Sequence, residues 1–481
     1  MERDATYYYL MNSFLVARGA WAHLTAHPGA TLQILGGLLV RAKLLLGRES
    51  KLSEVDELIR FSAEYARYLG LCLIFINFAF FLWASFALFR RGVSVAKIWL
   101  IQLFWVASPF AFSYVGQFQP EAVVLAISAA FTILLCRRGS RILGAALLIG
   151  SVLATKLNFL AYGAMIFLPR KWPAIVATAI FSLIVCFVLC LIFYPDLSTG
   201  LQHMLLLAMA SGKYDQGPPG WPTIAAMSEQ IRENEVGRTL IVFPLVLLTG
   251  LLGLVRRSID PEDRRSLLVA ILVFAGSAIV FLKKPTHDYY LMPSIGLIPC
   301  VVGAFFIATK GNWRAWFGGL TFFCIGLWLW GPLFLSESMR RASLHAADAD
   351  FARLERILQE HSECLAVFSG PLPVAIDAME MGAQTTGSEW REDLKRIFPH
   401  SFFLNPEFRF RQFSTADLSE AEWIKKESPS CVVFAIHPSF RLEAERRLQM
   451  AKEGRRLECG TYFCAYFFRP SETPKTTVSS R

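Results

Sequence analysis

Charge is what this sequence has little of. Asp, Glu, Lys and Arg make up 18% of its 481 residues, against about 25% in a soluble globular protein. In their place 54% of the chain is hydrophobic, with 40 Phe and a mean hydropathy of +0.43. A compact domain of this length cannot bury so much apolar surface, which excludes an ordinary cytosolic enzyme, and a disordered chain is excluded too. No stretch outside the apolar blocks interleaves basic residues with aromatics, so the net charge of +10 does not point to a nucleic-acid partner. The ten cysteines contain no C-x-x-C pair, and no Gly-rich phosphate loop follows a strand pattern. The opening Met-Glu-Arg-Asp-Ala-Thr-Tyr has no apolar core of a secretory signal.

What is present is long apolar blocks, which a spanning helix needs at about 20 residues each. Ten candidates can be read: 68–89, 94–116, 119–136, 140–154, 155–169, 173–195, 239–256, 265–282, 288–309 and 315–335. The pair 140–154 and 155–169 is short, and reads either as a tight hairpin broken near Thr155-Lys156 or as one helix with a re-entrant piece. Arg90, Arg91, Lys97, Arg137, Arg138, Arg141, Arg170, Lys171, Arg256, Arg257, Arg264, Arg265, Lys310 and Arg314 fall in every second loop. The positive-inside bias makes those loops cytoplasmic and the alternate ones, with both chain ends, extracytoplasmic. Residues 1–67 then lie outside with nothing to carry them across; either they translocate unaided or, the reading favoured, a further transmembrane helix is expected before Met1.

The fold expected is therefore mainly α: a polytopic plasma (inner) membrane protein of about ten transmembrane helices plus interfacial helices, with a small C-terminal α/β soluble domain. Residues 1–335 form the membrane domain, with 1–67 as its first extracytoplasmic loop, and 336–481 the extracytoplasmic domain. Within 5–60, Tyr8, Met11, Leu15 and Ala22 recur at helical spacing. His27-Pro28-Gly29 then breaks the pattern, and Leu32–Leu46 carries Arg41 and Lys43, as two helices in the interface plane would. In the tail, 351–358, 373–381 and 439–452 read as helices, and 364–368, 431–436 and 462–468 as strands. Cys364, Cys431, Cys459 and Cys464 all fall there. Packing is their default role, and disulfides are open to them in an oxidising compartment.

Chemistry is expected at the outer face, where a charge near the apolar boundary is costly unless it is paired or hydrated. Asp4, ahead of Tyr7-Tyr8-Tyr9, reads either as a solvated terminus or as a general base with Tyr8 shaping a pocket. Glu121 follows Pro120, as in any ordinary helix start, and also suits a sugar hydroxyl or a cation. His27 reads as a turn residue or a ligand contact, and Lys156 as a snorkelling side chain or an outer-face cation. Lys283-Lys284 runs against the positive-inside bias beside His287, Tyr289 and Tyr290; it reads as helix-end snorkelling or as a site for an anionic group, since lysine binds phosphate as a point charge. The loop Lys213–Pro222, rich in Gly and Pro, has the composition of a substrate loop.

These features together resemble the GT-C superfamily of integral-membrane glycosyltransferases. The likeness runs through Asp4 before an aromatic helix, His27-Pro28-Gly29, Ser108-Pro109-Phe110, Gln119-Pro120-Glu121, Ala154-Thr155-Lys156 and His287-Asp288-Tyr289-Tyr290-Leu291-Met292-Pro293. It is similar to the bacterial protein mannosyltransferase and aminoarabinose transferase type, which depends on polyprenyl-phosphate sugars. The resemblance implies transfer, with inversion, of a sugar from a polyprenyl phosphate to a lipid, glycan or protein acceptor. Asp4 would be the single base; it stands alone, followed by Ala5, where such enzymes commonly carry a pair of acids. Lys156, Lys283 and Lys284 would neutralise the departing phosphate, and Glu121 would bind a hydroxyl or a divalent cation (Mg2+ or Mn2+). A transporter or flippase of a lipid-linked substrate is the alternative, and a scaffold a third reading. Against transport, no pair of Gly/Pro-broken spans recurs in matching halves.

Overall fold

The computed structural model describes residues 3–23, 29–46, 52–106, 116–194, 197–210, 220–233, 242–255, 259–283, 290–309, 349–350, 352–369, 379, 389–404, 410–411, 427, 430–437, 455–461 and 463–468. The chain packs as two units, one of Asn12–Leu46 with Glu64–Glu337, the other of Met1–Met11, Gly47–Ala63 and Ser338–Arg481.

The larger unit is helical. Helix α1 (Arg3–Ala17) begins in the smaller unit's sequence and ends in this one; α2 (Ala30–Leu46) follows, while α3 (Glu54–Arg60) belongs to the smaller unit. Next come α4 (Ser62–Arg90), α5 (Val95–Val106), α6 (Val124–Cys136), α7 (Ile142–Leu153), α8 (Trp172–Cys190), α9 (Leu197–Met209), α10 (Ile224–Glu233), α11 (Val242–Val255), α12 (Pro261–Lys283) and α13 (Met292–Ala308). Glycine sets two of the stops. Gly19 and Gly92 have φ of 76° and 80°, a left-handed conformation that glycine adopts without the Cβ penalty. At the first, Gly19 N–H donates to Val16 O and Ala20 N–H to Leu15 O, the paired bonds that close a helix C-terminus.

Helix α13 is buried along nearly its whole length, as a helix apolar on every side must be. It packs against α5, α6, α11 and α12, and Gly296 lets it approach Ser128 and Val124 of α6 closely enough that a Cβ would overlap both side chains. The opposite case is α4 and α8. Leu71, Phe75, Phe78, Leu82, Trp83, Phe86 and Phe89 on one, and Trp172, Ile180, Phe181, Leu183, Ile184, Phe187 and Val188 on the other, are exposed. Apolar surface on that scale belongs in lipid.

Among the described residues three helices are long and apolar enough to cross a membrane: Ser62–Arg90, Trp172–Phe193 and Pro261–Lys283. Four shorter apolar helices accompany them, Pro120–Cys136, Ile142–Leu153, Phe243–Val255 and Met292–Ala308. The count of ten spans is thus not established; 315–335 and the end of 94–116 lie outside the described residues. The short pair does break at Thr155-Lys156, but its second half, Leu157–Phe167, is a 3-10 helix of 11 residues. Runs of this kind beyond 3–4 residues are uncommon and mark strain or function.

The smaller unit carries a six-stranded sheet of order β3-β2-β1-β4-β6-β5. Its strands are β1 (Leu365–Ser369), β2 (Ser401–Leu404), β3 (Phe410–Arg411), β4 (Val432–Ile436), β5 (Arg455–Cys459) and β6 (Cys464–Phe468). Strands β2, β1 and β4 are parallel, and the flanking pairs antiparallel. Disulfides join Cys364 to Cys431, just ahead of β1 and β4, and Cys459 to Cys464 across the β5–β6 hairpin. Helix α14 (352–360) and α15 (Arg391–Ile397) complete the α-helices among the described residues. Arg396 of α15 bonds Asp56 of α3 at 2.6 Å and holds that carboxyl below its ordinary pKa.

Candidate active site

The site grows from the turn that opens α6. Gln119 is extended, Pro120 starts a 3-10 turn over Pro120–Val123, and Glu121 sits in its first turn, where proline's fixed φ and an acid are both favoured. The turn is pinned from α4. Asn77 Nδ2 donates to Ala122 O at 2.7 Å and to Leu73 O at 2.9 Å, while Ala126 N–H donates to Asn77 Oδ1 at 2.8 Å. Asn77 is 4% exposed, so the membrane-spanning helix α4 supplies a buried cap for α6.

The partner comes from the end of α7. Thr155 Oγ1 returns to Ser151 O at 2.7 Å and ties off that helix, and Lys156 then takes an extended backbone before the 3-10 helix. Its Nζ lies 2.5 Å from Glu121 Oε1, the side chains being 16% and 5% exposed. Helix α2 docks on the same corner: Ala30 N–H donates to Ala154 O at 3.0 Å and Thr31 Oγ1 to Ser151 O at 2.7 Å. A carboxylate and an ammonium held in a largely water-free corner can offer an acceptor for a hydroxyl proton and a cation for an oxyanion. In such surroundings each charge acts more strongly than in water.

Of the residues expected from sequence, the structure brings Glu121 and Lys156 together. Lys283 closes α12, its ammonium 6.0 Å from the ring centroid of Trp221, within reach of a cation–π attraction. Tyr290 is half-buried against the core around α13. Asp4 is the second residue of α1, and Tyr8 lies half-buried one turn on, between the buried Tyr7 and Tyr9. His27, Lys284, His287 and Tyr289 lie outside the described residues, as do Ser108-Pro109-Phe110 and most of the loop 213–222.

Lys156 Nζ meets one oxygen of the Glu121 carboxylate, Oε1. Among the described residues, the cluster with ligand spacing is His361, Glu363 and Cys364 of the smaller unit, and Cys364 is spent in its disulfide. Sequence reasoning missed Asn77. The signal was there: an amide in the middle of an otherwise apolar span is a functional or structural marker by default.

Residues 66–282 match the model of glycosyltransferase family 87, a GT-C-like family of membrane glycosyltransferases. The match contains Asn77, Glu121 and Lys156. No curated protein and no solved structure matches the chain.

Proposed function

We propose that the membrane glycosyltransferase indicated by this family match takes its sugar from a polyprenyl phosphate and works at the extracytoplasmic face of the plasma membrane. The observation that carries the reading is the buried Glu121–Lys156 pair. A polyprenyl phosphate is a good leaving group, so its departure needs a fixed positive charge more than a strong acid, and Lys156, with Lys283 and Lys284, supplies that charge. A single carboxylate, Asp4, takes the proton of the attacking acceptor oxygen, which displaces the phosphate from C1 with inversion. Glu121 orients Lys156 and accepts from a sugar hydroxyl; Tyr8, His27, His287, Tyr289 and Tyr290 line the substrate path. A divalent cation, Mg2+ or Mn2+, is the alternative to that hydroxyl at Glu121. The two disulfides of the C-terminal part support its lying on the oxidising side. The acceptor is a lipid, a glycan or a protein.

The test uses full-length protein in detergent with short-chain polyprenyl-phosphate hexoses. Asp4→Asn is expected to lower turnover by at least about a hundredfold while leaving donor binding in native mass spectra unchanged. Lys156→Ala is expected to weaken binding as well. Full turnover in Asp4→Asn removes the base assignment. Failure of the unaltered protein to bind or use any such donor removes the donor. Movement of an intact glycolipid across vesicles without sugar transfer would favour a transporter instead.

A further inference from the structure

The corner where α2 meets the end of α7 holds a side chain outside the Glu121–Lys156 pair. Gln33 of α2 is fully buried, and both its Nε2 and its Oε1 lack a hydrogen-bond partner. Among the described residues it is the one side chain whose two polar atoms are both orphaned. Its backbone is ordinary, the N–H donating to Gly29 O at 2.8 Å. A buried amide left unmade is a cost the fold would avoid by substituting an apolar residue of the same size, so its presence asks for a ligand.

Position says which. One turn before Gln33, Ala30 is bonded to Ala154 O, two residues from Lys156. One turn after it, Gly36 packs so tightly that a Cβ would lie 2.4 Å from the Phe118 ring, and Phe118 leads directly into Gln119-Pro120-Glu121. Ala30, Gln33, Gly36 and Gly37 are all buried and share one helix face by their spacing. Gln33 therefore lies on the segment of α2 strung between the chain leading to Lys156 and the chain leading to Glu121.

We propose that Gln33 is a sugar-recognition residue of this site, contacting vicinal hydroxyls of the hexose on the lipid phosphate. The proposal rests on the donor reading above. An amide suits a diol: one hydroxyl donates to Oε1 while its neighbour accepts from Nε2. The contact selects among sugars and takes no part in bond making. A water or an apolar ligand would not select among hydroxyl patterns, which makes the idea testable.

The experiment measures transfer from a polyprenyl-phosphate hexose and from its monodeoxy analogues, with unaltered protein, Gln33→Leu and Gln33→Glu, alongside thermal unfolding of each without substrate. The unaltered protein is expected to reject at least one deoxy donor by about a hundredfold. In Gln33→Leu that discrimination collapses towards unity, mostly through KM, while the unfolding temperature holds or rises because an orphaned amide has gone. Gln33→Glu, which keeps an acceptor and loses both donors, retains part of the discrimination and remains informative should the leucine variant fail to fold. A leucine variant that keeps the full deoxy profile overturns the proposal. So does one that merely unfolds earlier while the glutamate variant discriminates normally. If the unaltered protein uses no polyprenyl-phosphate hexose at all, the donor reading falls and this one with it; if it uses them with a flat deoxy profile, only the role of Gln33 falls.

Discussion

At one end of the antiparallel helices α6 and α7, Lys156 meets Glu121; at the other, Arg141 meets Glu262 and Arg91 meets Asp263. Both ends pair opposite charges, and they differ in what surrounds the pairs. At the arginine end, Arg141 Nε donates to Arg137 O at 2.6 Å, Nη1 to Ser266 Oγ at 2.8 Å and Nη2 to Glu262 Oε1 at 2.9 Å. The guanidinium's fork is satisfied on each side, and the acids stand in the first turn of α12, where the helix dipole favours them. That is a clamp joining three loops. At the lysine end Lys156 meets Glu121, with the orphaned Gln33 amide on the helix that docks beside them. Under the proposed function the arginine end fastens helices and the lysine end serves a substrate.

Breaking the clamp should give the largest effect. Asp263→Ala leaves the largely buried Arg91 side chain without its carboxylate and is expected to cost about 3–5 kcal/mol of stability, read as an earlier thermal unfolding transition in detergent. Replacing both partners, Arg91→Met with Asp263→Leu, is expected to restore most of it, with turnover close to that of the unaltered protein at permissive temperature. The same manipulation at the other end sharpens the contrast. Lys156→Met with Glu121→Leu should also unfold normally, yet transfer sugar about a hundred- to a thousandfold more slowly. Were that double variant active, the lysine end would be a second clamp, and the distinction would vanish.

The sequence exposed one partner of each pair more clearly than it exposed the pairing. Glu121 and Lys156 stood out singly because each carries charge at an apolar boundary, 35 residues apart, but only the fold shows that one neutralises the other. The arginines were legible as an orientation signal, and that signal is silent on whether a given side chain is solvated; Arg141 is in fact buried. In the smaller unit β1, β4 and β6 were readable from runs such as Cys431–Ile436. Strand β5, Arg455-Arg456-Leu457-Glu458-Cys459, lacks a clean alternation, and its pairing carries a register shift between Arg456 and Glu458. The ladder rather than the pattern makes it a strand. Gln33 was invisible for a different reason: a single amide in an apolar helix looks the same in sequence whether its partner is a neighbouring carbonyl or a ligand. Asn77 is the case of the carbonyl.

Asn77 therefore gives the smallest but most discriminating test. Its amide bonds Ala122 O and receives Ala126 N–H, which is one of the first four donors of α6 that no helix can satisfy internally. Asn77→Leu would orphan both backbone groups inside the bundle, at about 1–3 kcal/mol. Asn77→Asp should fall between, keeping the acceptor for Ala126 N–H and losing the donor to Ala122 O. The clamp at the far end is untouched in either variant, so any loss of turnover must come through the turn that carries Glu121. The expected outcome is a modest fall in kcat/KM, of about tenfold, in Asn77→Leu. A lowered unfolding temperature with unchanged kcat/KM would mean that the turn can shift without moving the carboxylate. The position of Glu121 would then be set by Lys156 alone, and the lysine end would owe its geometry to the ion pair instead of to the helix that caps it.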